Sequence, residues 1–273
     1  MAMIELIDVS KNLGGRQILD HMSLSVEEGE TKVIIGRSGV GTSVTLKHIV
    51  RLLEPDGGQV RVDGKDVLSL RGKDLNDLHM QIGLVFQGGA LFDSLTVSEN
   101  VAFILHEHTN VKQSEIDERV KESLALVGLY NVENYMPADL SGGMKKRVAL
   151  ARAICTRPKI ILYDEPTTGV DPITADAINL MIDELHDKLK VTSIVVTHDM
   201  RSAYKVADRI AMLYEGKIIA EGTPDEIRYT HNPYVHQFIT GAAHGPITDG
   251  QSSISKNIEW QGGQILHHAC GDG

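Results

Sequence analysis

One stretch constrains the fold of this chain more than any other: a β-branched run, a glycine-rich loop and the start of a helical pattern. The run is residues 33–35, the loop has the pattern G-x-x-x-x-G over residues 36–41, and apolar residues recur at helical spacing from Thr42 onward. Glycines in such a loop let successive backbone N–H groups converge on phosphate oxygens, and the dipole of the following helix adds to the attraction. Ser43 stands where a hydroxyl ligates Mg²⁺, but Thr42 stands where the pattern requires Lys. The stretch predicts a phosphate-binding loop without its ammonium group, although an ordinary glycine-rich turn is the competing interpretation.

The composition excludes several classes of protein. A formal net charge of -10 over 273 residues argues against a nucleic-acid binder, which usually carries a basic stripe. No apolar run approaches the roughly 18 residues of a membrane span, and the first residues do not resemble a secretory signal. Two cysteines, Cys155 and Cys270, are too few for a disulfide framework. These features predict a cytoplasmic protein.

Alternating segments predict a small antiparallel sheet, and buried segments predict a second sheet that carries chemistry at its edge. Residues 4–9 and 16–26 alternate around Gly14-Gly15, and residues 60–67 repeat the pattern. Apolar strands are predicted at 82–87, 160–165 and 193–199, and they end at Gln87, at Asp164 and Glu165, and at His198. A carboxylate pair at the end of a buried strand is costly unless a cation or catalysis uses it. Taken alone, Gln87 and His198 are better explained as structural polar residues than as catalytic ones.

Helical patterns fill most of the remaining chain. They are predicted over 97–136 with a stop near Gly128, over 145–155, 174–190 and 233–239, and after a capping box at Thr223, while 210–219 predicts a hairpin. Residues 141–143 place small side chains and bare N–H groups at a helix start, which describes a second anion site.

The order of these motifs closely resembles the ATP-binding-cassette (ABC) ATPases. The motifs are the glycine-rich loop, Gln87, the Leu-Ser-Gly-Gly run at 140–143, the Asp164-Glu165 pair, Asp171 and His198. The resemblance covers residues 4–240 and implies an α/β fold: a P-loop NTPase core with a small antiparallel β subdomain and an α-helical subdomain at about 90–155. It predicts an ATPase domain at 1–241 and a tail at 242–273.

The resemblance also implies a role for each matching residue. Those expected to bind ATP are Gly36, Arg37, Ser38, Gly39, Val40, Gly41, Thr42, Ser43, Thr45 and Asp171, together with Ser141, Gly142 and Gly143, which approach the γ-phosphate of ATP bound to the opposite subunit. Those expected to hold Mg²⁺ are Ser43, Gln87 and Asp164. Glu165, His198 and Gln87 are the expected catalytic residues, with Glu165 orienting or deprotonating the attacking water. Because one chain cannot complete a site, the active unit implied is a head-to-tail homodimer.

Two residues depart from the family pattern. Leu13 stands where an aromatic side chain usually stacks on adenine, and Thr42 removes the lysine that spans two phosphates. Lys47 lies more than a helical turn away and cannot replace it. A charge-assisted hydrogen bond is worth roughly 1.5–3 kcal/mol, so the loss should cost at least about one to two decades in rate. We therefore expect a hydrolysis-impaired ATPase, and an introduced substitution is the favoured reason because the other catalytic positions are kept.

The residues within three motifs narrow the resemblance to the bacterial Mla-type ATPases of phospholipid trafficking. These motifs are residues 86–97, 140–144 and 169–174. It implies an inner-membrane permease, a periplasmic lipid-binding MCE-domain protein and a small STAS-domain protein as partners, and a location at the cytoplasmic face of the bacterial inner membrane. The competing interpretations are the ATPase of a polar-solute importer and a non-hydrolysing cassette. Cassettes that work on ribosomes or DNA repair would be expected to carry a second cassette or a coiled-coil insertion.

Two docking segments are predicted. Leu91, Phe92 and Leu95 are expected to line a groove for a short permease helix, with a place in the core as the alternative.

The tail has the Gly, Ser and His content of a disordered segment. It nevertheless keeps spaced apolar anchors, which predict docking on the second ATPase subunit or the STAS-domain protein: Ile254, Ile258, Trp260, Ile265 and Leu266. A metal site at His267, His268 and Cys270 is disfavoured because no fourth ligand lies near.

Overall fold

The computed structural model describes residues 2–249, in two compact units that meet at Tyr229 and Thr230. The predicted tail anchors and the His267, His268 and Cys270 cluster lie outside these residues. The ATPase domain boundary at residue 241 stays a prediction.

Ten strands and ten α-helices form the described chain. The strands are β1 (Ala2–Leu13), β2 (Arg16–Glu27), β3 (Thr31–Ile35), β4 (Gly57–Val62), β5 (Lys65–Asp66), β6 (Ile82–Val85), β7 (Ile160–Asp164), β8 (Thr192–Thr197), β9 (Arg209–Tyr214) and β10 (Lys217–Gly222). The helices are α1 (Thr42–Ile49), α2 (Gly72–Met80), α3 (Val97–His108), α4 (Gln113–Leu126), α5 (Gly142–Ile154), α6 (Pro172–Leu189), α7 (Met200–Val206), α8 (Pro224–Arg228), α9 (Pro233–Thr240) and α10 (Pro246–Asp249).

The first unit contains both predicted sheets. The antiparallel sheet has the order β2-β1-β4-β5, and its long hairpin turns at Gly14 and Gly15, which both have positive φ angles. Alternate residues of β1 and β2 are fully buried, so the period-two pattern of the sequence marks the face that packs into the core. The small antiparallel sheet is confirmed.

The second sheet places the ends of parallel strands side by side. Its order is β10-β9-β3-β8-β7-β6, in which β10 is antiparallel to β9 and the other five strands are parallel to one another. These strands are buried along nearly their whole length, as expected for a sheet covered on both faces. Ligands bind open α/β sheets outside the carboxyl ends of such strands. The glycine-rich loop, Gln87, Asp164 and His198 all follow those ends.

Helices α3, α4 and α5 of the first unit pack on one another and correspond to the predicted helical subdomain. The sequence predicts helix over most of 97–136, and the structure divides this region into α3 and α4, with no helix after Leu126 until the single turn at Pro137–Asp139. Gly128 and Asn131 have φ angles of 66° and 58°, so the chain turns away from helical geometry at both positions. The stop near Gly128 is confirmed.

The second unit is described from Thr230 to Asp249 and contains α9 and α10. Gln237 joins the two helices, because its side chain accepts from the Ile247 N–H at 2.8 Å and donates to the Thr248 hydroxyl at 2.9 Å. Within residues 2–249, no helix has both the length and the apolar composition of a transmembrane span.

Candidate active site

The glycine-rich loop connects β3 to α1 in a shape that only glycine permits at two positions. Gly41 has a φ angle of 110°, and a Cβ atom there would lie 2.9 Å from the Ile18 side chain. A Cβ atom on Gly36 would lie 2.8 Å from the Leu213 carbonyl oxygen. The buried Thr45 hydroxyl donates to the Gly41 carbonyl at 3.1 Å, which fixes the end of the loop. The loop therefore has the backbone that a phosphate group requires.

Thr42 opens α1, and no ammonium group stands at its position. Lys47 lies in the last turn of the same helix with an exposed side chain. Five residues of helix separate the two positions by about 7.5 Å along the axis. Lys47 cannot reach back to the loop, in agreement with the sequence argument.

Ser43 and Asp164 meet at the place where the sequence predicts a metal ion. The Ser43 hydroxyl donates to Asp164 Oδ1 at 2.7 Å, across the junction of α1 with β7. Within residues 2–249, no three His, Cys, Asp or Glu side chains gather closely enough to form a metal cage. Mg²⁺ is usually held by one or two carboxylates together with substrate phosphates, so a hydroxyl and a carboxylate beside a phosphate loop fit this ion.

Glu165 follows β7 in a left-handed backbone conformation with a φ angle of 51°. Its N–H donates to the Val196 carbonyl on β8, and its side chain is 15% exposed. His198 Nδ1 donates to Oε1 at 2.8 Å, and the Thr168 hydroxyl donates to Oε2 at 2.9 Å. Both carboxylate oxygens are therefore oriented by protein donors. The sequence analysis did not identify Thr168, because a hydroxyl near a loop is too common a signal.

Gln87 lies two residues beyond β6 and is exposed. Its backbone carbonyl accepts a hydrogen bond from the ammonium group of Lys146 on α5. Burial lowers the pKa of Lys146, and the charges of Glu165 and Asp164 oppose that shift. This lysine, which the sequence analysis also missed, therefore lies within electrostatic range of the carboxylate pair.

The residues of the Leu-Ser-Gly-Gly run open helix α5. Ser141 is its N-cap and accepts from the Met144 N–H at 3.3 Å, and both Ser141 and Gly142 are exposed. No atom would lie within 4 Å of a Cβ on Gly142, whereas a Cβ on Gly143 would lie 2.9 Å from Thr174 Cγ2. The backbone is therefore open at Gly142 and close to α6 at Gly143, and the open side is where the sequence predicts the nucleotide of a second subunit.

Asp171 caps the next helix of the site. Its carboxylate accepts from the Ile173 and Thr174 N–H groups at 3.0 Å each and from the Thr174 hydroxyl at 2.6 Å. These bonds lower its pKa, with the Thr174 hydroxyl as the largest cause. In this structure the carboxylate is engaged in starting α6, so its contact with nucleotide stays a prediction.

An apolar cavity of about 450 Å³ lies beside the loop that follows β6. Its lining includes Leu84, Phe86, Phe92, Phe103 and Arg152. Phe92 is 42% exposed, whereas Leu91 and Leu95 are not among the lining residues. Of the three predicted groove anchors, the structure brings only Phe92 to the cavity.

Comparison with known proteins agrees with this geometry. The ABC transporter family matches residues 19–168. "Protein TRIGALACTOSYLDIACYLGLYCEROL 3, chloroplastic" of Arabidopsis thaliana is 43% identical over 90% of this chain and 75% of its own length. The "Intermembrane phospholipid transport system ATP-binding protein MlaF" of Haemophilus influenzae is 38% identical over 90% of this chain and 93% of its own.

Another relative carries a different function in its name. The "Probable ribonucleotide transport ATP-binding protein mkl" of Mycobacterium tuberculosis is 38% identical over 98% of this chain and 75% of its own length. Among solved structures, the ATP-binding cassette MJ0796, a dimer in a post-hydrolysis state bound to ADP and Pi, matches with a TM-score of 0.75 and 33% identity. The match covers 81% of this chain and 99% of that one.

Proposed function

This chain belongs to the ABC transporter family of ATP-binding proteins, and from this premise we propose that it serves a bacterial inner-membrane transporter of phospholipids. In the proposed role it binds and hydrolyses ATP at the cytoplasmic face and drives lipid movement between the inner and outer membranes. The name and 38% identity of MlaF support the phospholipid assignment.

The observation that carries the ATPase part is the pair of hydrogen bonds that hold the Glu165 carboxylate. With Oε1 bonded to His198 and Oε2 to Thr168, the group cannot rotate freely, so its remaining lone pairs point in fixed directions. A fixed carboxylate can orient a water molecule and accept its proton as the water attacks the terminal phosphate. Mg²⁺, when bound, would neutralise phosphate charge, with Ser43, Asp164 and Gln87 as its proposed protein ligands.

Thr42 is the reason to propose that hydrolysis is slow in this chain. The loop backbone and Ser43 are in place for Mg-ATP, but the cation that would stabilise charge on the transferring phosphoryl group is missing. Binding should therefore be retained while turnover falls by at least about one to two decades. The exposed Leu13, at the end of β1, would contact adenine only by van der Waals forces.

The proposed assembly is a homodimer of this chain with a permease, an MCE-domain lipid-binding protein and a STAS-domain protein. The exposed Gly142 supports the dimer because, within the described residues, no atom lies within 4 Å of the position of a Cβ there, which leaves room for a nucleotide. The apolar cavity beside Phe86 and Phe92 supports the permease, since an amphipathic helix buries its apolar face in such a groove.

Cross-linking tests the membrane partner. Ser94 is exposed next to Phe92, so Ser94→Cys with a short bifunctional reagent should capture an integral membrane protein when the complex is extracted from native membranes. Ser69→Cys, placed in the loop between β5 and α2, is the matched control and should capture much less of it. Mass spectrometry identifies the captured protein, and capture of soluble proteins alone would contradict the proposal.

A polar solute is the second candidate cargo, and the name of the mycobacterial relative is the observation that favours it. The two cargoes differ in what stimulates the purified complex. Phospholipid vesicles should accelerate ATP hydrolysis if lipid is the cargo, whereas a water-soluble ribonucleotide should do so if the alternative holds.

A further inference from the structure

Two buried cations of helix α5 hold the loop that follows β6 by its carbonyl groups. The ammonium group of Lys146 donates to the Gln87 carbonyl. Six residues further along the helix, the Arg152 guanidinium donates from Nη2 to Gly89 and from Nη1 to Ala90, at 2.7 Å each. Three of the four carbonyl groups of residues 87–90 thus accept from one helix.

The loop depends on these contacts for its conformation. Gly89 and Ala90 have φ angles of 77° and 45°, in the left-handed region that costs energy for a residue with a Cβ atom such as alanine. Lys146 and Arg152 are each only 7% exposed. Hydrogen bonds from charged donors are stronger than those from neutral ones, and the bond from Arg152 to Gly89 is buried, so removing that donor would leave the Gly89 carbonyl unsatisfied.

The loop also lies between two regions that a transporter ATPase must connect. Arg152 and Ala90 line the apolar cavity, where we propose that the permease binds. At the other end, Lys146 lies within electrostatic range of Glu165 and Asp164. A rigid loop between the two would transmit a displacement of the cavity wall to Gln87.

We propose that Lys146 is a positioning residue for ATP hydrolysis. It ties the Gln87 backbone to helix α5, so that residues 87–90 move with α5 as one body. The inference rests on the proposed ATPase function of this chain, and it is independent of which cargo is carried. A positioning role of this kind follows from the contact between a side chain and a backbone that the sequence separates by 59 residues.

Hydrogen–deuterium exchange on the full chain without nucleotide directly tests whether the contact between Lys146 and Gln87 stabilises the loop. Lys146→Met removes the ammonium group and keeps the length and burial of the stem, so amides in a peptide spanning 86–91 should exchange about tenfold faster than in the parent chain. Lys145→Met, the adjacent but more exposed lysine of the same helix, is the control and should leave that peptide unchanged. Lys146→Arg keeps a cation and should restore most of the protection. Unchanged exchange in Lys146→Met would overturn the proposal, whatever the function of the chain.

Kinetics in a Thr42→Lys background test the consequence for catalysis. If Lys146 holds Gln87 in place during turnover, Lys146→Met should lower kcat about tenfold and leave the KM for ATP within about twofold. Lys145→Met should keep both values, and Lys146→Arg should recover kcat. An equal kcat in Lys146→Met would overturn the positioning role. If Lys146→Met does not fold, as judged by thermal unfolding, Lys146→Gln is compared by the same two measurements.

Discussion

Thr42 is an uncharged side chain in a loop whose backbone suits an anion. A helix N-terminus and a glycine loop are present for an anion, yet the side chain between them carries no charge. We predict that Thr42→Lys raises ATP hydrolysis by at least about tenfold, because an ammonium group there stabilises charge that develops on the phosphoryl group. Thr42→Met, with a stem of similar length and no charge, is the control. Phosphate release by the assembled complex is the measurement, and equal rates for the two variants would show that the missing charge is not limiting.

Glu165 is the residue on which the second prediction depends. With its two oxygens already held by His198 and Thr168, replacement by glutamine removes the basic group and leaves the shape of the site nearly unchanged. In the Thr42→Lys background, Glu165→Gln should abolish hydrolysis and retain ATP between two chains. Light scattering should then report a nucleotide-dependent dimer, while Glu133→Gln, a half-buried glutamate outside the site, should behave as the background does. Normal turnover in Glu165→Gln would move the base to another residue.

At the scale of single elements, Asn100 holds the segment that leads from the loop after β6 into α3. Its buried side chain accepts from the Phe92 N–H at 2.8 Å and donates to the carbonyls of Phe92, Leu95 and Thr96 at 3.0–3.1 Å. Asn100→Leu keeps the volume and leaves these groups unsatisfied, so the free energy of unfolding should fall by about 2–4 kcal/mol. The exposed Asn110→Leu should change it by less than about 0.5 kcal/mol. Urea unfolding measures both, and a small effect at Asn100 would show that water replaces its bonds.

The elements that the sequence predicts well are those whose signal is local. The hairpin around Gly14-Gly15, the helix that begins after the glycine-rich loop and the capping box at Thr223 are each encoded in a few consecutive residues, and all three are confirmed as structure. Phosphate binding by the loop stays a prediction. The roles of Lys146 and Arg152 could not be predicted, because they contact backbone carbonyls that lie 59 and 62 residues away in sequence, respectively. Every residue has a backbone carbonyl, so no sequence pattern indicates which one a side chain contacts. The lining of the apolar cavity also depends on tertiary packing, which a local pattern does not reveal. For this reason only one of the three predicted groove anchors, Phe92, lines it.

At the scale of the whole molecule, the segment after Asp249 is predicted to strengthen the assembly without contributing to folding. Ile247 is buried, and its N–H bonds Gln237, so the second unit needs its chain at least to Asp249. Deleting residues 250–273 should therefore leave the melting temperature of the chain within about 2 °C and lower the yield of dimer or complex through lost avidity. A shuffled segment of the same composition is the control. Undiminished yield after the deletion would assign no docking role to these residues.

The hydrogen bond between Ser43 and Asp164 bears on how much the site must rearrange to bind a metal–nucleotide pair. The bond holds the Ser43 hydroxyl 2.7 Å from Asp164 Oδ1, so two of the oxygens proposed to ligate Mg²⁺ already lie side by side. Binding of a metal–nucleotide pair would then exchange this hydrogen bond for metal contacts without first ordering a loose pocket, which keeps the entropic cost of binding small.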